Sequence, residues 1–430
     1  MPIFDQGYQH WKGPLSGHAW RWLAITHHGV RTQLKSRIVR LMLLAAWLPA
    51  IALIAVLSIW GLLEQQVESI LGSIGRLLPA GMLADPQQYR TAVWTVSYAF
   101  FFQIQLFISL FLVMAVGPNL ISRDLRFNAL PLYFSRPLRR VDYFFGKLGV
   151  IGFFLAATIL VPALAAYVLG VGFSLDLSVV RDTYRILLAS MLYSIVILIS
   201  AGTVMLALSS LSRRTIYVGL AWVGLWFISS TVSSILIAIR AETARHQITD
   251  ERMSHWLQEN PPPAGIEMMG SFPINRNPNL GQPARPGDPK ISPEEQARRK
   301  WNQAFWDARF GYQAEAEAFD LEESRNDWRP ICSYPSNLVR MGDLLLNTDA
   351  AWVTLGRAVE RPRAAFGPTM NRFSGGKPNP ALNNPANDRL LADRMVWQFP
   401  WYWSAGVLVG ILLLSVFTLT KRVKTLDRLK

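Results

Sequence analysis

Six stretches of 23 to 26 residues in this chain contain no Asp, Glu, Lys, Arg or His: Leu41–Leu63, Val93–Gly117, Leu148–Phe173, Ile186–Leu211, Thr215–Ile239 and Gln398–Thr420. A bilayer's hydrocarbon core is about 30 Å thick, and about 20 apolar residues in a helix cross it. Each run has length to spare for tilt. Inside lipid the backbone finds no water, and a single helix satisfies its own N–H and C=O groups. The runs therefore predict six transmembrane helices and an all-α membrane protein. A hydrophobic content of 51% would also suit a large soluble chain, but the segregation of the apolar residues argues against one.

The net charge of +14 is unevenly spread. Residues 1–40 carry +5, the loop 118–147 +4, Ser212–Arg214 +2 and the tail 421–430 +4. The loop 64–92 carries −1, while 174–185 and 240–397 are neutral. Alternate segments thus hold the positive excess, which is the positive-inside pattern. It predicts that both termini, 118–147 and 212–214 face the cytoplasm and that the other three loops face outside. Anionic lipid headgroups and a cytoplasmic partner explain this charge better than nucleic acid does, so no nucleic-acid partner is expected.

Trp60 and Trp94 flank the first outer loop, and Trp397, Trp401, Tyr402 and Trp403 open the last span. An apolar ring with one polar edge suits the membrane–water interface. Residues 17–40 interleave Leu23, Val30, Leu34 and Ile38 with Arg21, Arg31, Lys35, Arg37 and Arg40. That spacing predicts a basic amphipathic helix, elbow-like, on the inner leaflet; a solvated basic tail is the alternative. Adjacent His27 and His28 would point about 100° apart on a helix and make a poor metal pair. No cleavable signal-peptide pattern precedes the first span. Pro49 is expected to kink that span. Val67, Ile70, Leu71, Ile74, Leu77 and Leu78 form a helical stripe suited to the outer surface. Cys332 stands alone, so no internal disulfide exists and a free thiol is expected.

The segment 240–397 is expected to be a large, mainly helical and irregular extracytoplasmic insertion between the fifth and sixth spans. Arg240–Asn260 is polar and reads as helix. Pro261–Pro289 is rich in Pro, Asn and Gly and reads as linker or irregular loop. Ser292-Pro293-Glu294-Glu295 is a helix start: a capping Ser, a first-turn Pro, then acids at the positive end of the dipole. Trp301, Phe305, Ala308, Tyr312, Ala316 and Phe319 follow along one helical face, which must bury against an external core, a partner or a substrate path. Tyr334–Leu346 is a second amphipathic candidate, and Gly367–Asn387 reads as irregular.

The chain has no G-x-x-x-x-G-K-[ST], H-E-x-x-H, C-x-x-C or G-x-S-x-G pattern. Ser374-Gly375-Gly376-Lys377 is a chance likeness to an ATPase signature, among prolines on the outer side. No catalytic residue, metal ligand or cofactor-binding residue is expected. Ion-coupled transporters and intramembrane proteases keep ionisable groups at membrane depth; here the spans have none. The polar groups available there are milder. Gln103, Gln105, Tyr193, Ser230 and Ser234 are candidates for a substrate path, with interhelical hydrogen bonding as the plainer role. Energy for any transport is expected to come from elsewhere.

The loop 118–147 is dense in Arg and aromatics, which suits docking, although a membrane-surface segment with snorkelling Arg is also open. It contains Ala129-Leu130-Pro131-Leu132-Tyr133, then Ser135-Arg136-Pro137, Asp142-Tyr143 and Gly146-Lys147. This succession resembles the coupling loop of type-2 ABC transporter permeases, the exporter-like class. The six spans, the elbow-like start and the basic tail are similar to that class as well; the 240–397 insertion departs from its compact members. The resemblance implies a multi-pass subunit of the bacterial inner membrane. It would move an unnamed substrate, pair with a second permease copy or homologue, and draw on separate ATPase subunits that bind ATP and Mg. The implied ATPase-coupling residues are Arg123, Asp124, Arg126, Phe127, Leu130, Tyr133, Arg136, Arg139, Arg140 and Tyr143. Two alternatives remain. One is a non-transporting scaffold or sensor whose 240–397 segment binds an extracytoplasmic partner. The other is a membrane enzyme that would need a cluster from His255, Glu294, Glu295 or Asp307, which lack a recognisable spacing.

Overall fold

The charge-free runs fold mainly as long helices. The computed structural model describes residues 20–67, 78, 80–130, 133, 139–174, 176–264, 266–269, 272–274, 292–356 and 399–424. In chain order the main helices are α1 (Arg21–Gln33), α2 (Arg37–Ala45), α3 (Trp47–Glu64), α4 (Pro86–Val116), α5 (Arg140–Ser174) and α6 (Ser178–Leu211). They continue with α7 (Thr215–Glu259), α8 (Pro293–Ser324), α9 (Tyr334–Leu346) and α10 (Trp401–Lys424). Six helices among the described residues, with α2 and α3 together as the first, are long and apolar enough to cross a membrane. The architecture is that of an all-α, multi-pass membrane protein. One end of the bundle carries residues 118–130 and Arg213–Arg214 and is called the basic end below.

Proline shapes two of the spans. Pro49 has no N–H, and its ring crowds the carbonyl four residues earlier. The first span is accordingly interrupted at Ala46, and the Gln105 amide donates to the Ala46 carbonyl at 2.6 Å. In α5 a π-helical turn, Ala156–Leu160, precedes Pro162. The Thr158 hydroxyl donates there to the carbonyls of Phe154 (2.9 Å) and Leu155 (3.2 Å), partnering groups that the wider turn loosens.

Instead of one helix over 17–40, α1 ends at Gln33 and α2 starts after Ser36. α1 lies tight on α5. A Cβ on Gly149 would come 2.5 Å from the Thr26 hydroxyl oxygen, and one on Gly146 would come 2.7 Å from the Ile25 Cβ. The Thr26 hydroxyl donates to the Gly146 carbonyl at 3.0 Å. Trp60 and Trp94 are both buried among the helices. Trp94 meets Tyr167 edge to face at 5.7 Å, because Gly170 leaves room for its ring. Trp401 and Tyr402 are exposed. The stripe at 67–78 lies mostly outside the described residues.

The last 20 residues of α7 project past its charge-free run and pair antiparallel with α8 as a two-helix stalk. Trp301 and Phe305 stack at 5.4 Å and both pack on Trp256, while the Trp301 indole donates to the Asn260 carbonyl at 3.0 Å. The aromatic face of α8 therefore buries mainly against this chain's own α7. Ser292 caps α8 by accepting from the Glu295 amide at 3.2 Å. The stretch read as irregular holds a short antiparallel hairpin, β1 (Glu267–Met269) with β2 (Phe272–Ile274). Propensity gave no sign of it; contact with α8 supports it, since the Arg309 guanidinium sits 4.0 Å above the Phe272 ring.

α9 does not stay on the stalk. It packs between α4, α6, α7 and α10, inside the bundle. The chain leaves along α7, returns beside it as α8, turns at Arg329–Cys332, and climbs back as α9. Serines on α7 receive this turn. Ser233 donates to the Arg329 carbonyl (3.0 Å), and Ser229 accepts from the Tyr334 amide (3.2 Å). The Tyr334 hydroxyl meets Ser200 of α6 at 3.0 Å. Arg340 donates to the Phe399 carbonyl at 2.8 Å and so ties α9 to the start of α10. Gly342 faces Tyr193 so closely that a Cβ would lie 2.5 Å from the ring. Gly342→Val should destabilise the purified protein by about 1–3 kcal/mol, read as a lower thermal midpoint. Tyr193→Ala in the same chain should remove much of that loss; simple additivity would mean the two residues do not touch.

Candidate functional site

The basic end is built around one carboxylate. Asp124, on the short helix Ser122–Arg126, accepts from the Tyr143 hydroxyl at 2.7 Å and pairs with the Lys147 ammonium at 2.7 Å. The Tyr133 and Tyr143 rings lie 5.4 Å apart, and the Lys147 ammonium sits 5.8 Å and 5.4 Å from their centres. A buried ammonium between an acid and two rings keeps a counter-charge and two π-faces in exchange for lost water. Burial first, and the Asp124 charge second, push the Tyr133 phenol above its ordinary value. The chain turns at Asn128, whose φ of 48° is left-handed and suits an Asn.

The same loop is fastened to α6. Ser209 accepts from the amides of Ile121 (3.1 Å) and Ser122 (3.0 Å) and donates to the Pro118 carbonyl (2.9 Å). One hydroxyl thus partners three backbone groups of a turn. Gly117 makes the approach feasible, since a Cβ there would collide with Met205. Asp142 caps α5 by accepting from the Arg139 amide at 3.1 Å. Neither Ser209 nor Lys147 stood out in the sequence, although Gly146-Lys147 belongs to the motif that drew attention to this loop.

The expected coupling residues divide by exposure. Arg123, Arg126, Phe127 and Arg139 are exposed, and both Arg123 and Arg126 lean on the Phe127 ring, at 6.0 Å and 5.6 Å. Arg140 and Tyr133 are half-buried. Leu130 and Tyr143 are buried, and Asp124 is engaged by its partners, so these three hold the loop together from within. Arg136 lies outside the described residues.

The candidate path residues do not share one lining. Gln105 is buried on the Ala46 carbonyl, Tyr193 is buried against Phe102 and Gly342, and Ser230 donates to the Trp226 carbonyl at 2.7 Å. Gln103 and Ser234 face outward. Tyr193 and Ser230 both flank the inserted α9 segment; Gln105 serves the first span. No group of three metal-ligating side chains occurs among the described residues. Of the enzyme candidates, Glu295 pairs with Arg299 one helical turn along, at 3.3 Å.

A second charged knot sits at the opposite end. Arg90 is 2% exposed. It donates to Glu64 (2.7 Å), Asp182 (2.9 Å) and Ser178 (2.9 Å), joining α3, α4 and α6. The nearby Asp176 carboxyl is held below the usual range, chiefly by hydrogen bonds from the Ser178 hydroxyl and amide and then by Arg90. Arg90→Met strands a buried Glu64 and should cost about 3–5 kcal/mol, measured by denaturation in detergent. Arg90→Met with Glu64→Leu should recover most of it. No protein family, curated protein or solved structure matches this chain.

Proposed function

We propose that this chain is the permease subunit of an ATP-binding-cassette exporter of the type-2 class. The observation that carries the reading is the construction of the basic end. An exposed Arg123–Arg126–Phe127 tip stands on the Asp124–Tyr143–Lys147 knot and is bolted to α6 through Ser209. Docking surfaces use Arg and aromatic anchors, and a rigid mount passes a push into the helices behind it. In this reading the basic end and both termini face the cytoplasm, as the charge distribution favours. Two ATPase subunits, which bind ATP and Mg, press on the tip. A second permease copy or homologue completes the transporter. Nucleotide-dependent closure favours one arrangement of the spans over another only through contacts that differ between the two. The chain itself performs no catalysis.

Phe127→Ala with Arg126→Ala should reduce ATPase co-purification from native membranes about tenfold and leave the thermal midpoint of the chain unchanged. Asp124→Asn should lower both, because it loosens the mount. A stoichiometric ATPase retained by the Phe127/Arg126 variant, or the absence of any ATPase from the wild-type preparation, would overturn the reading.

A further inference from the structure

A cleft of about 860 Å³ opens between the stalk helices where α7 leaves its charge-free run. That volume falls in the range of about 300–1,000 Å³ of small-molecule sites. Its position is unusual in spanning two solvents. Leu236 and Ile239 belong to the run at lipid depth; Glu251 and Arg252, on the same helix, line it some four turns further out. Ile239, Phe319 and Trp328 are 59%, 51% and 52% exposed, and all three converge on this cleft. Phe319 continues the aromatic face of α8 and stays half-open at the level where Arg240 of α7 grips the neighbouring Asp320. Three large apolar side chains thus line one concavity.

The polar groups of the cleft add a pattern. Arg240 lines it with its side chain 9% exposed. Its terminal nitrogens pair with Asp320 and with Asp327 (2.9 Å), but its Nε is buried without an acceptor. Arg329 is neutralised by Asp327 at 3.1 Å and Arg252 by Glu315 at 3.0 Å. Glu251 and Glu323 line the cleft and have no basic partner among the described residues. The cleft therefore offers an apolar floor and two carboxylates with no basic partner among the described residues.

We propose that this cleft binds a zwitterionic amphiphile of the membrane. Its acyl chain lies on Ile239, Phe319 and Trp328, and its ammonium is drawn to the carboxylates of Glu251 and Glu323. An anionic amphiphile meets the two carboxylates with like charge and is disfavoured. This inference does not rest on the ATPase-coupling proposal.

The test uses the full chain in nanodiscs of phosphatidylglycerol. Each sample receives a trace of phosphatidylethanolamine or of phosphatidylglycerol with the same acyl-chain diazirine, and adducts are mapped after irradiation. The phosphatidylethanolamine probe should exceed the other about fivefold on peptides containing Ile239, Phe319 or Trp328. On the outward face of α4, at Phe107 and Phe111, the two should be equal. Thr243→Trp, which fills the cleft, should abolish the excess and leave the α4 adducts unchanged, and those adducts also report that the bundle is folded. Glu251→Gln with Glu323→Gln should erase the headgroup preference. Equal labelling by the two probes, no adducts in the cleft, or an excess that survives Thr243→Trp would each overturn the proposal.

Discussion

A backbone amide in hydrocarbon must find its partner within the protein, and the bundle is organised around one segment for which that is hardest to achieve. The 3₁₀ turn at Arg329–Cys332 and the first turn of α9 cannot satisfy all their own groups, yet they lie among the spans. Ser229 and Ser233 of α7 and the Asn337 amide, which donates to the Ile331 carbonyl at 2.7 Å, provide partners, and Ser200 of α6 meets the Tyr334 hydroxyl. Remove these and the inserted segment would carry unpaired polar groups, each worth several kcal/mol in lipid. α4, α6, α7 and α10 all pack on α9, and α6 also touches the other three directly.

The two charged knots obey the same logic at the ends. Arg90 and Lys147 are both nearly dry, and each is held by a carboxylate with further hydrogen-bonding neighbours. Such pairs contribute little net stability compared with an apolar core, but they tolerate only one arrangement of their helices. The Arg90 knot joins three helices at one end; the Asp124 knot and Ser209 join the loop to α5 and α6 at the other. Between them the spans have no ionisable side chain, so helix positions at depth are set by shape. Gly170 under Trp94 and Gly342 under Tyr193 are the clearest cases.

The spans were legible because lipid imposes a simple rule on composition, and Leu41–Leu63 or Ile186–Leu211 obey it without exception. Helix starts at Ser292 and Tyr334 were legible for local reasons, in capping and in 3.6-residue periodicity. The depth of α9 was not. Arg340 and Asp343 give it the look of a surface helix, and its burial depends on partners more than 100 residues away, as with Tyr334 and Ser200. The serine cluster of α7 was visible but ambiguous, since a hydroxyl that seats a backbone turn looks the same in sequence as one that lines a path. The burial of Trp60 and Trp94 was hidden for a related reason: an exposed and a buried tryptophan differ only in what the neighbouring helix leaves open. In the basic loop the motif marked the right place, but the division between exposed Phe127 and buried Leu130 and Tyr143 required the fold.

The Arg340–Phe399 link has a consequence for biogenesis. A membrane chain is delivered from its N-terminus, so α4, α6 and α7 are made before α9, and α10 is made last. Until α10 arrives, one flank of α9 has no helix to cover it and the Arg340 guanidinium has no Phe399 carbonyl to grip. The seat of α9 is therefore complete only once the final helix is in place.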